Sequence, residues 1–231
     1  MVGGDALRQL EPALSPAFKA AVLIKGQARA VSPGRIGTAL AQKALDQGAE
    51  VLRTDVSGLT RQADGTWGLA TSSGAVQTKN LVIAAWVWSA ALLKPLGLDV
   101  PLVAERGYTV EFPNAATSIN NSVMDVDAKI VASSMSDGVR VAGSSEFGAF
   151  DAPANPRKKA LLQTQAKAMF PDLDTEGTVF RMGRRPSFPD SLPVLGSVDG
   201  AQGLFTAFGH SHYGLMMAPN TDLSSFSQQR F

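Results

Sequence analysis

One uninterrupted apolar run, Leu-Val-Ile-Ala-Ala at residues 81–85, constrains the fold more than any other segment. Side chains of a strand alternate between its two faces, so a strand with one wet face shows alternating polarity. An unbroken apolar run instead indicates a strand covered on both faces, as in a parallel sheet between helical layers. The apolar stretch continues to Leu93, but Ser89 interrupts it and it is too short to cross a bilayer comfortably. The run therefore predicts a layered α/β arrangement.

The segments before and after this run predict a helix and extended hairpins. Ser32 and Pro33 favour a helix start, and an apolar stripe then continues up to Gly48. The stripe consists of Ile36, Leu40, Ala41, Ala44 and Leu45. Residues 49–52 predict a strand, and the pairs Asp64-Gly65 and Ser73-Gly74 favour hairpin turns.

Residues 101–146 have the pattern of an antiparallel sheet. Tyr108, Val110 and Phe112 alternate with polar positions, and the apolar segments 129–132 and 139–142 are separated by Asp137-Gly138. A second helix is predicted to start at Asn155-Pro156 and to stop at Pro171. Its apolar face is formed by Leu161, Leu162, Ala166, Met169 and Phe170. With a short buried strand at 203–207, the fold class is α/β with mixed α+β character.

Composition excludes several classes of function. The 231 residues are 45% hydrophobic and 18% charged, which is ordinary for a globular protein. The formal charge of +1 is scattered, so no basic surface for nucleic acid is predicted. There is no cysteine, which excludes disulfides, thiolate zinc sites and thiol nucleophiles, so redox chemistry would need a bound cofactor. The first residues lack the pattern of a secretory signal, and we expect a cytoplasmic protein with peripheral membrane contact left open.

The closing third of the chain carries the candidate chemistry. It contains Gly-Arg-Arg-Pro at 183–186 and Gly-His-Ser-His-Tyr-Gly-Leu at 209–215. An arginine between glycine and proline can present a rigid two-pronged donor to a carboxylate. A turn bounded by glycines that enters a helix directs backbone N–H groups at electron-rich ligand atoms.

These segments, together with others in the same order, resemble FAD-dependent oxidoreductases of the D-amino-acid oxidase and dehydrogenase superfamily. The matching segments are residues 10–14, 31–33, 81–85, 88–89, 106–108, 143–146, 185–196 and 209–215. The last two are the most specific and look most like the bacterial D-amino-acid dehydrogenase branch. The resemblance implies FAD as cofactor and hydride transfer from the α-carbon of an amino acid to the flavin, giving an imino acid that water hydrolyses.

The resemblance also implies roles for individual residues. Arg185 matches the arginine that holds the substrate carboxylate, and its planar group suits two parallel hydrogen bonds. Tyr213 is predicted to act beside it as a second catalytic residue. Tyr108 and Glu146 are predicted to contact substrate, although a packing role for Tyr108 and an exposed carboxylate for Glu146 are open alternatives.

The predicted cofactor contacts come mainly from the two segments around Trp88 and Gly209. They are Val51, Ala85, Trp88, Gly183, Gly209, His210, Ser211, His212, Gly214 and Leu215. Backbone N–H groups in the last segment would stabilise negative charge on the reduced flavin. His210 and His212 are the only histidines, and with no third ligand nearby no metal site is predicted.

The sequence departs from the family pattern in its front part. The expected Gly-x-Gly-x-x-Gly motif is absent, because residues 34–37 lack its spacing and its preceding strand. Trp86-Val87 replaces a small Gly-Ala pair, and Asp222 stands near the position of a helix glycine.

We therefore predict the C-terminal portion of such an enzyme, with a partial Rossmann-like FAD layer and an antiparallel substrate domain. The predicted segments are 1–30 and 99–180 for the substrate side, and 31–98 and 181–231 for the FAD side.

Two alternatives to a flavoenzyme remain. One is a cofactor-free module that binds carboxylates through Arg185. The other is a non-catalytic subunit that needs a complementing chain or self-association, because an uncovered apolar sheet edge favours pairing. The preferred amino acid and the electron acceptor, oxygen or quinone, are not encoded in any recognisable motif.

Overall fold

The computed structural model describes residues 1–221, which form five α-helices and thirteen strands. The helices are α1 (Gly4–Leu10), α2 (Pro33–Asp46), α3 (Ser89–Leu93), α4 (Pro156–Met169) and α5 (Gly214–Met217). The first strands are β1 (Val2–Gly3), β2 (Ala20–Ala21), β3 (Val56–Arg61), β4 (Trp67–Thr71), β5 (Gly74–Thr78) and β6 (Leu81–Ile83). The later strands are β7 (Val103–Phe112), β8 (Val123–Asp125), β9 (Ile130–Met135), β10 (Gly138–Phe147), β11 (Val179–Ser187), β12 (Val194–Ser197) and β13 (Leu204–Phe208). Asp222, singled out above, lies outside the described residues.

The chain divides into two compact units, each built from three separate segments. The first unit comprises Met1–Gln42, Arg106–Glu146 and Asp151–Gly183. The second comprises Lys43–Glu105, Phe147–Phe150 and the chain from Arg184 onward. None of the helices within residues 1–221 combines the length and the apolar character that a membrane span requires.

The core of the first unit lies between α4 and a sheet. The sheet has five strands in the order β11-β7-β10-β9-β8, and β8, β9 and β10 pair antiparallel with their neighbours in sequence. As predicted, Tyr108, Val110 and Phe112 are fully buried, and Asp137 lies in the turn between β9 and β10. This confirms the antiparallel sheet expected from the alternating pattern.

Helix α4 begins as the sequence predicts, because the Asn155 side chain accepts a hydrogen bond from the backbone N–H of Arg157. Leu162, Ala166 and Met169 are buried against the sheet. Leu161, expected on the same face, is exposed instead. Adjacent helical positions are rotated by about 100°, so Leu161 and Leu162 cannot both point into one core.

The second unit contains a three-stranded sheet and a three-stranded meander. In the order β12-β13-β6, β13 pairs parallel to β6 and antiparallel to β12. The meander β3-β4-β5 has its turns at Asp64-Gly65 and just before Gly74, where the sequence predicts them. Its core includes Trp67, Ile83, Leu204 and Phe208. The parallel pairing predicted for the 81–85 run is therefore confirmed.

Three expectations about this region are wrong in detail. Strand β6 ends at Ile83, and Val82 is 42% exposed, so the run is not covered on both faces within the described chain. Residues 49–52 form no strand there, because no other described segment pairs with them. Helix α2 forms as predicted but buries none of its residues, so the stripe of Ile36, Leu40 and Leu45 faces solvent in the described chain.

Candidate functional site

The chain makes a tight corner directly after β13. Gly209 has a φ of +88°, and a Cβ at this position would lie 2.3 Å from the Phe188 ring. Only glycine satisfies both the left-handed backbone and this close approach. Ser211 is also left-handed, with a φ of 49°, and the chain then enters the short helix α5 at Gly214. We call residues 209–214 the Gly209 corner.

Parallel pairing positions this corner beside the segment that follows β6. Leu204 pairs with Leu81 and Thr206 with Ile83, so both strands end at the same edge of the sheet. In open α/β sheets, ligands bind outside the carboxyl ends of parallel strands. Ala85 after β6 and Gly209 after β13 therefore occupy the edge where a ligand is expected.

Arg185 is linked to the same corner through its chain neighbours. The carbonyl of Pro186 accepts a hydrogen bond of 3.1 Å from the backbone N–H of Ser211. The hydroxyls of Ser187 and Ser211 lie 3.0 Å apart. The strand that carries Arg185 is thus fastened to the Gly209 corner by two hydrogen bonds.

A buried carboxylate, Glu105, joins these residues into one cluster. Its Oε1 lies 3.5 Å from Nη1 of Arg185, and its Oε2 accepts a hydrogen bond of 3.0 Å from the Ser187 hydroxyl. The same Oε2 lies 3.0 Å from Nε2 of His212. The Glu105 side chain is 7% exposed, whereas those of Arg185 and His212 are 26% and 46% exposed. The cluster therefore turns Arg185 and His212 toward solvent and keeps the Glu105 carboxylate inside.

Sequence reasoning missed Glu105. The matching segment begins one residue later, at Arg106-Gly107-Tyr108, and does not include this carboxylate. The available signal was a lone acidic residue at the start of a strand whose following residues alternate apolar and polar. A charge at that position has to be paired if it is buried.

The second predicted histidine has a different environment. His210 Nε2 lies 3.0 Å from the Thr221 hydroxyl, which in turn donates to the Met217 carbonyl at 3.1 Å. Burial lowers the pKa of His210, which favours its neutral form. The contacts of His210 thus support the turn into α5.

Other predicted contacts in the second unit are more exposed. Trp88 packs edge-on against Phe150, and the Arg184 guanidinium lies 4.9 Å from the centre of the Phe150 ring. Tyr213 and Leu215 lie on the outside of the Gly209 corner, and Val51 lies in the irregular segment before β3. These side chains are accessible to a ligand.

The first unit holds the remaining predicted residues. Tyr108 is fully buried, and its hydroxyl donates to Glu146 at 2.6 Å and accepts from the backbone N–H of Asn155 at 3.2 Å. Burial raises the pKa of Tyr108, and the hydrogen bond from Tyr108 together with the Arg106 charge lowers the pKa of Glu146. Because the Tyr108 hydroxyl has one hydrogen, it would have to release Glu146 to donate to a substrate. Gly183, in β11, also belongs to this unit.

Comparisons with known proteins agree on one family. The family model described as FAD dependent oxidoreductase matches residues 1–221. A D-amino-acid oxidase from Bradyrhizobium diazoefficiens is 33% identical over 95% of this chain and 53% of its own length. A glycine oxidase from Pseudomonas aeruginosa is 32% identical over 90% of this chain and 57% of its own length. The chain therefore spans little more than half the length of these relatives.

The fold agrees with the same assignment. The crystal structure of glycine oxidase from Geobacillus kaustophilus superposes with a TM-score of 0.82 at 26% identity, covering 94% of this chain and 59% of that one. These matches confirm the resemblance and the mixed α/β fold class predicted from the sequence. They do not assign roles to individual residues, so the predicted site residues stay predictions.

Proposed function

This chain belongs to the FAD-dependent oxidoreductase family, and we propose that it forms the part of an amino-acid oxidase or dehydrogenase that binds the substrate carboxylate beside the flavin. The reaction would be the oxidative deamination of a D-amino acid or a related amino acid. The observation that carries the proposal is the fastening of the Arg185 strand to the Gly209 corner. That arrangement supports the proposal, because an arginine able to bind a carboxylate would then lie next to a backbone turn suited to an electron-rich ring.

Arg185 has the properties of a carboxylate-binding residue. Its contact with Glu105 at 3.5 Å is long and uses one of five N–H donors, so a pair of donors remains for a substrate carboxylate. A bidentate pair would fix the orientation of the α-carbon, which raises the rate by positioning. Its partial exposure lets a small anion reach it.

FAD fits the sheet edge described above. Gly209 brings no side chain to the corner, and Ala85, which follows the neighbouring parallel strand β6, carries only a methyl group. When bound, FAD would supply the acceptor for the hydride that leaves the α-carbon. The N–H groups of Ser211 and Tyr213 already donate to the carbonyls of Pro186 and His210, so the chain's own contribution would come from the other backbone N–H groups of the corner, which favour negative charge nearby.

The segment assignment follows from the same proposal. We assign 31–98 and 181–231 to the FAD side, and 1–30 and 99–180 to the substrate side. The relatives named D-amino-acid oxidase, D-amino acid dehydrogenase and glycine oxidase support D-amino acids or glycine as the substrate class.

A second candidate is a chain that functions only with a complementing polypeptide. The specific observations are the 42% exposure of Val82 on β6 and the absence of buried residues in α2, both within the described chain. Exposed apolar strands and helices favour association. This candidate predicts that FAD binding requires the added polypeptide.

The test is the absorption spectrum of the purified chain with and without added FAD. Flavin bands that bleach when D-alanine is added without oxygen are expected, and Arg185→Gln should abolish the bleaching while Arg185→Lys weakens it strongly. Arg53→Gln, an exposed arginine of the second unit, is the matched control and should bleach normally. A colourless protein that still binds carboxylates through Arg185 would instead identify a cofactor-free module.

A further inference from the structure

Glu105 is a buried negative charge placed next to the group that we propose binds the substrate. Only 5% of the residue is exposed, and its two oxygens contact Arg185, Ser187 and His212. The Ser187 hydroxyl also contacts Ser211 of the Gly209 corner. Hydrogen bonds therefore hold this carboxylate in a fixed position relative to the Arg185 guanidinium.

We propose that Glu105 is a specificity-determining residue that makes the Arg185 site favour zwitterionic amino acids over plain carboxylates. The inference rests on the proposed function, because it takes Arg185 as the carboxylate-binding residue. Glu105 neither touches the reacting atoms nor donates a hydrogen bond to the substrate. Glu105 acts through its charge and through the position it gives to Arg185.

The physical argument concerns the sign of the charges that a ligand meets. A plain carboxylate near Arg185 is attracted by the guanidinium but repelled by the fixed charge of Glu105 a few ångströms behind it. An amino acid carries an ammonium group next to its carboxylate, and that group is attracted by Glu105. A guanidinium paired with a buried carboxylate thus matches the charge pattern of a zwitterion. Because Glu105 is buried, water screens its electrostatic interaction with a ligand only weakly.

Two ligands of the same carbon skeleton test this directly. Propionate and D-alanine differ by the ammonium group, and their affinities are measured by NMR titration at pH 8 with and without added FAD. In the wild-type protein D-alanine should bind more tightly than propionate. Glu105→Gln should lower the ratio of the propionate Kd to the D-alanine Kd by roughly three- to tenfold, chiefly by tightening propionate binding.

Glu111→Gln is the matched control. Glu111 also pairs with two cationic groups, Arg140 and Arg181, but it belongs to the first unit. The ratio in this variant should equal the wild-type ratio. A purely structural role for Glu105 would change both affinities together and leave the ratio unmoved, and that result would overturn the inference.

The outcomes separate this inference from the proposed function. If Arg185→Gln abolishes binding of both ligands but Glu105→Gln leaves their ratio unchanged, the carboxylate site stands and the role of Glu105 is wrong. If the wild-type protein binds neither ligand, or if Arg185→Gln has no effect, the proposed function fails and this inference fails with it.

Discussion

The backbone N–H of Ser211 donates a hydrogen bond of 3.1 Å to the carbonyl of Pro186, which lies 25 residues earlier in the chain. Together with the contact between the Ser187 and Ser211 hydroxyls, this hydrogen bond fixes the position of Arg185 relative to the Gly209 corner. Pro186, Ser187 and Ser211 all belong to the second unit.

Gly209→Ala should destabilise the protein by about 2–4 kcal/mol, because the new methyl group meets the Phe188 ring and the backbone stays left-handed. Gly214→Ala is the control, since a Cβ there would lie 3.6 Å from the His210 Cβ, an ordinary contact. Urea unfolding of both variants gives the comparison. Equal midpoints would show that the corner tolerates a side chain and that its geometry is not set by glycine.

Trp86→Gly should stabilise the protein by about 0.5–1 kcal/mol, because Trp86 has a φ of 53° that an indole-bearing residue adopts at a cost. Trp88→Gly is the matched comparison, since Trp88 is equally exposed but has a φ of −82°. Glycine should therefore destabilise position 88. Thermal unfolding of the two variants compares their changes in stability. A loss of stability in Trp86→Gly would contradict backbone strain at Trp86.

Glu11→Gln should cost about 2 kcal/mol of unfolding free energy, because a charged acceptor in a buried position is lost. Glu11 is 2% exposed and accepts hydrogen bonds from the backbone N–H groups of Asn120 and Asn121. The glutamine amide would turn an N–H group toward these donors. Glu50→Gln, at an exposed position, should be neutral, and chemical denaturation distinguishes the two.

Tyr108→Phe should make the protein less sensitive to acid. The hydrogen bond from Tyr108 is the largest cause that lowers the pKa of Glu146, so Glu146 contributes stability above its ordinary pKa, and this contribution is lost as pH falls through the lowered value. In Tyr108→Phe, acidification should remove less stability than in the wild-type protein. The difference between their free energies of unfolding should therefore narrow from pH 7 to pH 3. Glu111, whose pKa is also lowered by arginine hydrogen bonds despite its burial, is the same in both and cancels. A constant gap over this range would be the contrary result.

Local sequence signals predicted many of the elements correctly. Asn155-Pro156 started α4 because the cap and the proline act within one turn, and Asp64-Gly65 made a hairpin because the turn needs only its own residues. The parallel pairing of β6 followed from its apolar character. The cap and the hairpin depend on contacts close in sequence, whereas the pairing of β6 was indicated by composition although its partner β13 is distant in the chain.

The predictions that were wrong concern the surroundings of an element rather than its own sequence. Residues 49–52 have strand composition but no described partner, and the stripe on α2 has no described surface to cover it. Periodicity states which side of an element is apolar, and it does not state whether anything packs there. Glu105 was missed for the related reason that its partners come from distant segments.

Those partners, Arg185, Ser187 and His212, lie 80, 82 and 107 residues from Glu105 in sequence. Contacts between residues so distant in sequence cost conformational entropy when the chain closes the loop between them. We therefore expect these contacts to form late in folding and to slow the folding rate. A refolding experiment that follows ligand binding should thus lag behind one that follows helix content. Carboxylate recognition would be the last property that a newly made chain acquires.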